Sequence, residues 1–271
     1  MNMPEQTMAP RSRDWWRPVR YLYRIPLVVL LLILGVLLCL FVAGPRRHAV
    51  ARGGREPLAH RATRWWSTML MRVFGFRVSQ VGSPLPDAAM FVCNHVTWLD
   101  IVLVHTQRAA CFVAKAEIAR WPVVGWMAAC GGTIFHQRGS NQSMATVMDT
   151  MVKRLQKGRS VAVFPEGGTS HGGKLRTFHA RIFQAALDAE TPVQPVALRY
   201  ARHGRRWLDV AFRPGESFVA NIVRLMGEPS CDAEVHFLPP VPPNEAGRRR
   251  MAEQARERIA AALDGGVEGR Q

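Results

Sequence analysis

The feature that most constrains this chain is an apolar run of nineteen residues without a single charge, residues 25–43. As an α-helix the run is about 28 Å long, close to the ~30 Å hydrocarbon core of a bilayer. Trp15, Trp16 and several arginines precede it, which is typical of the interfacial belt of a membrane helix. We therefore predict a membrane helix over residues 25–43. A buried core helix and a signal peptide are the alternatives, and the apolar region of a signal peptide is usually shorter.

The net charge of the chain limits the classes of partner that it can be expected to bind. Lys and Arg number 36 and Asp and Glu number 20, which gives a formal charge of +16. Such an excess favours nucleic acid, a membrane surface or a phosphorylated substrate, and it does not choose among them. Arginines flank the apolar run on both sides, so the charge bias fixes no orientation. The five cysteines form no C-x-x-C pair, and we predict reduced, buried thiols with no metal site.

Beyond residue 88 short apolar runs alternate with helical patterns. Strands are predicted over residues 88–93, 111–114, 132–135, 160–164, 193–198, 210–212 and 231–238. Helices are predicted over residues 64–76, 144–155, 178–189 and 244–263, and the basic, amphipathic first one suits a membrane surface or the core equally. This alternation predicts an α/β fold, a largely parallel sheet flanked by helices. The predicted division is a basic flank (1–24), the membrane helix (25–43), a linker (44–63), one α/β domain (64–264) and a flexible tail (265–271).

A histidine and an aspartate follow the first of these strands. Five residues separate His95 from Asp100, which on a regular helix places them about 140° apart. The two side chains therefore meet only if His95 lies on the loop and Asp100 lies in the first turns of the next helix. Thr97 is placed to cap that helix, with Asp100 at its third position. The same spacing also fits an ordinary helix cap without any catalytic role.

Three more segments carry chemistry at predicted strands. Residues 131–139 (GGTIFHQRG) carry Arg138, residues 164–170 (FPEGGTS) carry Glu166 and Gly167, and residues 193–197 (VQPVA) carry Pro195. Ligands of open α/β sheets bind outside the carboxyl ends of the strands. One shared site at this edge of the sheet is therefore predicted.

These four segments, in this order, resemble the motifs of the glycerophospholipid acyltransferase family, in particular bacterial 1-acyl-sn-glycerol-3-phosphate acyltransferases and lyso-ornithine lipid acyltransferases. The family patterns are N-H-x-x-x-x-D, G-x-x-F-x-x-R, F-P-E-G-T-[RS] and V-x-P-V, and the resemblance covers residues 60–240. The matching residues are Asn94, His95, Asp100, Gly132, Phe135, Arg138, Phe164, Pro165, Glu166, Gly167, Thr169, Ser170, Val193, Pro195 and Val196. Gly168 departs from the pattern, because many members carry threonine directly after the glycine.

The resemblance implies transfer of a fatty acyl group from acyl carrier protein or coenzyme A to a lysophospholipid hydroxyl. The implied acceptor is 1-acyl-sn-glycerol-3-phosphate, with a lyso-ornithine lipid as the alternative. His95 is then the general base, suited to the task by the ordinary pKa of histidine near neutrality, and Asp100 orients it. The residues implied in acceptor binding are Arg138, Glu166, Gly167, Thr169 and Ser170. Backbone N–H groups near Glu166 or Thr97 are expected to stabilise the oxyanion.

The resemblance further implies no cofactor and no metal, and it implies membrane lipids as partners. It implies a place in the bacterial inner membrane, with the site facing the cytoplasm.

Two other classes of protein remain open from the sequence. Residues 168–172 (GTSHG) match the G-x-S-x-G pattern of serine esterases, but Ser170 lies six residues beyond its strand rather than directly between strand and helix. A membrane-tethered nucleic-acid-binding protein fits the charge, although the basic residues are spread over linker and tail. We expect no nucleic acid partner.

Overall fold

In the computed structural model, residues 14–41, 57–137, 139–170, 174–243 and 247–265 are described. The strands are β1 (Phe76–Val81), β2 (Met90–Cys93), β3 (Cys111–Lys115), β4 (Ile134–His136), β5 (Val161–Val163), β6 (Val193–Arg202), β7 (Arg205–Arg206) and β8 (Cys231–Phe237). The helices are α1 (Arg17–Phe41), α2 (Leu58–Val73), α3 (Leu99–Gln107), α4 (Val124–Cys130), α5 (Asn141–Gln156), α6 (Gln184–Asp188), α7 (Phe218–Met226) and α8 (Gly247–Asp264). Short 3₁₀ helices cover Ala116–Arg120 and Ala180–Phe183.

The strands form one mixed, mostly parallel sheet in the order β1-β8-β6-β2-β5-β3-β4, and β7 pairs with β6 at a hairpin. Only the pairs of β6 with β8 and with β7 are antiparallel among these strands. The predicted fold class, a largely parallel sheet flanked by helices, is confirmed. Central β2 is buried on both faces, as its unbroken apolar sequence requires.

Two apolar clusters cover the two faces of this sheet. Phe91 and Cys93 of β2 point into a cluster with α2, α3 and α7, whereas Met90 and Val92 point into a cluster with α5, α6 and α8. The alternation follows from the two-residue period of a strand. The predicted apolar face of α5 is confirmed, because its residues Val147, Met151 and Leu155 are buried. The molecule therefore has three layers, helices on a sheet on helices.

The N-terminal helix α1 packs against the domain along one side. The buried Arg24 guanidinium donates from Nη1 to the carbonyls of Met226 and Glu228, at 2.9 and 2.8 Å, where α7 ends. Further along, the Trp66 indole of α2 donates to the Leu31 carbonyl at 2.7 Å. A Cβ at Gly35 would overlap the side chains of Met127 and Trp66, so the glycine permits this close approach.

The opposite side of α1 is apolar and exposed. The exposed apolar residues of α1 include Leu22, Ile25, Leu27, Val29, Leu30, Ile33, Leu37, Leu40 and Phe41. Within the described residues, α1 is the one helix long and apolar enough to cross a membrane by length and composition. Only 17% of its most apolar 18-residue segment is buried, which argues against the alternative of a core helix.

Several boundaries and elements differ from the sequence prediction. Residues 210–212 were predicted as a strand and instead form a buried turn, because Arg224 of α7 satisfies the Asp209 and Ala211 carbonyls that a neighbouring strand would bind. Helix α2 begins at Leu58, within the range predicted to be linker. The structure adds β1, β7, α4 and α7, which were not predicted. Most of the predicted flank, linker and tail lies outside the described residues.

Candidate active site

The loop after β2 carries His95 to the carboxyl edge of the sheet, between the loop after β5 and the outer half of β6. Strand β2 pairs in parallel with both β5 and β6, so all three run toward this edge. The segment carrying Pro195 lies elsewhere than predicted: Pro195 pairs with Val92 inside the sheet, near the start of the long strand β6. The part of β6 that reaches the site is therefore its second half.

The predicted meeting of His95 and Asp100 is present in the structure. The Nδ1 atom of His95 lies 2.9 Å from Oδ2 of Asp100, whose side chain is fully buried. The same Oδ2 accepts the backbone N–H groups of Val96 (2.6 Å) and Thr97 (2.9 Å). The other oxygen, Oδ1, accepts the Tyr200 hydroxyl at 2.7 Å. Four donors thus form hydrogen bonds with one buried carboxylate. A buried anion is costly unless hydrogen bonds replace those it made with water.

The predicted cap by Thr97 is wrong. Helix α3 begins at Leu99, and within the described residues the Thr97 hydroxyl has no hydrogen-bond partner. The Asp100 carboxylate reaches back to the loop instead, because an anion with several lone pairs binds the free N–H groups of a helix start better than a hydroxyl does. The Val96 and Thr97 N–H groups are therefore bound to Asp100, and the predicted oxyanion role of backbone N–H groups in this region stays a prediction.

Both the ring and the backbone of His95 make contacts with the loop after β5. Its ring stacks on Phe164 with a centroid distance of 3.9 Å and an interplanar angle of 14°. Its backbone N–H donates to Glu166 Oε1 at 2.7 Å, and its carbonyl accepts the Ser170 N–H at 2.7 Å. The side chain is 17% exposed, and among the described residues no group forms a hydrogen bond with Nε2. Geometry therefore leaves Nε2 as the atom that can face a substrate.

Glu166 is buried and ties two loops together. Its Oε1 accepts the His95 N–H, and its Oε2 accepts the Arg176 N–H at 3.1 Å. Burial raises the pKa of this carboxyl, opposed by the two backbone hydrogen bonds. In this structure Glu166 binds the backbone of the loop that carries His95, and its predicted contact with an acceptor stays a prediction.

The loop after Glu166 is more open to solvent. Gly167 is exposed and has φ +72°, and a Cβ there would meet the His179 imidazole at 3.1 Å, so glycine is required. The Gly167 N–H, another predicted oxyanion donor, binds the Phe164 carbonyl at 3.2 Å. Thr169 is exposed, and the Ser170 hydroxyl donates to the His95 carbonyl at 3.1 Å.

Arg138 lies outside the described residues. The strand before it, β4, is separated from β2 by β5 and β3, which corresponds to about 14 Å across the sheet. A substrate that reached both His95 and this end of the sheet would therefore extend along the carboxyl edge. Among the described residues, no group of three or more His, Cys, Asp or Glu side chains is placed to hold a metal ion.

Known proteins are similar to this chain in sequence and in fold. A family model described as Acyltransferase matches residues 77–199. A lyso-ornithine lipid O-acyltransferase of Pseudomonas aeruginosa is 35% identical over 209 residues, 77% of this chain and 81% of that protein. A second one, from Brucella abortus, is 30% identical over 226 residues, 78% of this chain and 85% of that protein. The chain therefore belongs to the acyltransferase family, and this class replaces the esterase and nucleic-acid-binding alternatives.

Two further relatives add detail. A 1-acyl-sn-glycerol-3-phosphate acyltransferase of Neisseria gonorrhoeae is 40% identical over 124 residues, 45% of this chain and 49% of that protein. The crystal structure of PlsC from Thermotoga maritima, a 1-acyl-sn-glycerophosphate acyltransferase, superposes with a TM-score of 0.67 at 19% identity, covering 96% of this chain and 99% of that one. At this identity the likeness concerns the fold.

Proposed function

We propose that this protein transfers a fatty acyl group from a thioester to the free hydroxyl of a lysolipid. The observation that carries the proposal is the contact of His95 with a fully buried Asp100, which leaves Nε2 toward the open edge of the sheet. Membership in the acyltransferase family supplies the class of reaction.

His95 acts on the acceptor. Its Nε2 removes the proton of the acceptor hydroxyl as the oxygen attacks the thioester carbonyl, so that no covalent enzyme intermediate is required. The tetrahedral intermediate collapses with loss of the thiolate, which takes the proton from the imidazolium and leaves as the thiol. Asp100 keeps Nδ1 protonated and stabilises the imidazolium, as the aspartate does in a catalytic triad. The products are an ester and a free thiol.

A lyso-ornithine lipid is the acceptor that we put first, ahead of 1-acyl-sn-glycerol-3-phosphate. The relatives that align over about four fifths of their length carry the former activity in their names, whereas the Neisseria relative aligns over half of its length. The Neisseria relative still supports 1-acyl-sn-glycerol-3-phosphate as the acceptor, because its shorter aligned segment has the higher sequence identity. Arg138, Glu166, Gly167, Thr169 and Ser170 are proposed as the residues around the acceptor.

The acyl donor is proposed to be acyl carrier protein or coenzyme A thioester, used as a substrate, with no cofactor. Both donors belong to the cytoplasm, and we place the protein in the bacterial inner membrane with its site on that side. The exposed apolar side of α1 supports membrane attachment, and five free cysteines suit a reducing compartment. Accessibility of the domain to protease in right-side-out and inverted membrane vesicles tests this orientation.

The reaction is tested with purified protein in detergent, a panel of lysolipids, and both donors. Mass spectrometry of the products identifies the acylated acceptor, and thiol release measures the rate. Acylation of the lyso-ornithine lipid alone supports our first acceptor, and acylation of lysophosphatidate alone supports the second. Absence of any acylated product with every pair would refute the proposed function.

A further inference from the structure

Tyr200 lies against the dyad although it belongs to none of the four motifs. It stands in the outer half of β6, one residue beyond the segment that the family model matches. Its hydroxyl donates to Asp100 Oδ1 at 2.7 Å, and its side chain is buried. We propose that Tyr200 is a positioning residue of the transfer reaction, holding the Asp100 carboxylate in the orientation that pairs with His95. This inference rests on the proposed role of the dyad.

The two oxygens of Asp100 have different sets of donors. Oδ2 accepts hydrogen bonds from His95 Nδ1 and from two backbone N–H groups. Among the described residues, Tyr200 is the only donor to Oδ1. Loss of the phenol hydroxyl would leave a buried carboxylate oxygen without a partner, which is a costly state. Rotation of the Asp100 carboxylate would remove this cost, because Oδ1 and Oδ2 would then share the donors that now bind Oδ2. That rotation turns the His95 ring, which follows Oδ2, out of its orientation toward the substrate, so the hydroxyl fixes the orientation of the base.

Two hydrogen bonds between the Asn94 side chain and the backbone of β6 bring Tyr200 to this position. The buried Asn94 side chain donates to the Leu198 carbonyl at 3.0 Å and accepts the Leu198 N–H at 2.7 Å. The contact continues the pairing of β2 with β6 beyond Cys93. Because alternate residues of a strand share a face, Tyr200 follows Leu198 on the side of Asp100. The edge of its ring meets Phe76, at 5.8 Å between centroids, which fixes the ring plane.

The phenol keeps its proton at every working pH. Burial and the neighbouring Asp100 carboxylate raise the pKa of Tyr200 well above its usual value. Cys93 on β2 and Glu166 after β5 also face the dyad, and burial raises the pKa of each. The hydroxyl is thus a permanent donor that withdraws charge from the carboxylate, and its removal strengthens the attraction of Asp100 for an imidazolium.

Tyr200→Phe tests the inference, with Thr106→Val as the matched control. Thr106 lies on the same helix as Asp100, is buried, and donates its hydroxyl to the Leu103 carbonyl at 2.7 Å. Both variants lose one buried hydroxyl. We expect Tyr200→Phe to lower kcat by about 10- to 100-fold with little change in either KM. We also expect the acidic limb of its pH–rate profile to move to higher pH, and Thr106→Val to match wild type in both.

A second variant keeps the fold intact. With 3-fluorotyrosine at position 200, a stronger donor of nearly the same size, the acidic limb should move to lower pH, the opposite direction. If Tyr200→Phe and the fluorinated protein both retain the wild-type pH profile while His95→Ala is inactive, the inference is overturned and the proposed function stands. An inactive wild-type protein would instead refute the proposed function.

Discussion

Replacement of Asp100 by asparagine isolates the charge of the carboxylate from its shape. The amide oxygen can occupy the position of Oδ2 and keep the three donors there, while the amide nitrogen faces the Tyr200 oxygen. Backbone structure at the start of α3 is therefore preserved. What disappears is the negative charge 2.9 Å from Nδ1 of His95.

The expected loss follows from that distance. With an effective dielectric constant near 20, two unit charges at this separation attract by about 6 kcal/mol. Other donors already share the carboxylate charge, so we take about half of this, roughly 3 kcal/mol, as the stabilisation lost from the imidazolium. The corresponding fall in kcat is about 10²-fold, with the acceptor KM nearly unchanged.

The assay is thiol release under saturating acceptor and donor, combined with circular dichroism to confirm folding. Asp149→Asn is the control, because it makes the same chemical change at an exposed carboxylate that pairs with Lys153. Asp149→Asn should retain the wild-type kcat. A kcat for Asp100→Asn within about threefold of wild type would refute the electrostatic role assigned to Asp100.

Three further changes are expected to have measurable effects. The pKa of Glu216 is lowered to about 2, chiefly by hydrogen bonds from Arg224, so its contribution to stability is present above about pH 4.5 and lost as pH falls toward 2. Glu216→Gln should remove at most about 3 kcal/mol at neutral pH and flatten the acid side of the urea-unfolding profile, and an unaltered profile would contradict this. Arg24→Met removes donors to two carbonyls at the end of α7 and should lower unfolding free energy by about 2–4 kcal/mol; an unchanged melting temperature would argue against this docking. Where lysophosphatidate, the second acceptor, is acylated, Arg138→Ala should raise its KM by about 10- to 100-fold, and an unchanged KM would exclude phosphate binding by Arg138.

The sequence predicted the part of the site that depends on local order along the chain. His95 lies two residues after the end of β2 and Asp100 lies early in α3, so strand, loop and helix patterns together predicted their contact. The position of Glu166 just after β5 was predicted in the same way, although its two loop contacts were not. Local patterns fix which residues end a strand, and they carry less information about what each side chain binds there.

The missed features depend on contacts between distant parts of the chain. Tyr200 contacts Asp100 across a separation of 100 residues, through a strand extension that no spacing rule indicates. The apolar residues 210–212 have the pattern of a strand, but Arg224, on a later helix, binds the carbonyls of Asp209 and Ala211 instead. In the same way, the run that predicted a membrane helix gave no sign that Arg24 is buried against the end of α7.

The most direct measurement is the initial rate of acyl transfer by His95→Ala, using the lysolipid and thioester that wild type uses best. We predict that the rate falls by about 10²- to 10⁴-fold in a protein that melts at the same temperature as wild type. His236→Ala is the control, because His236 is also 17% exposed and lies 2.9 Å from the carboxylate of Glu234. This control should keep the wild-type rate. A His95→Ala rate equal to that of His236→Ala would contradict the assignment of His95 as the base.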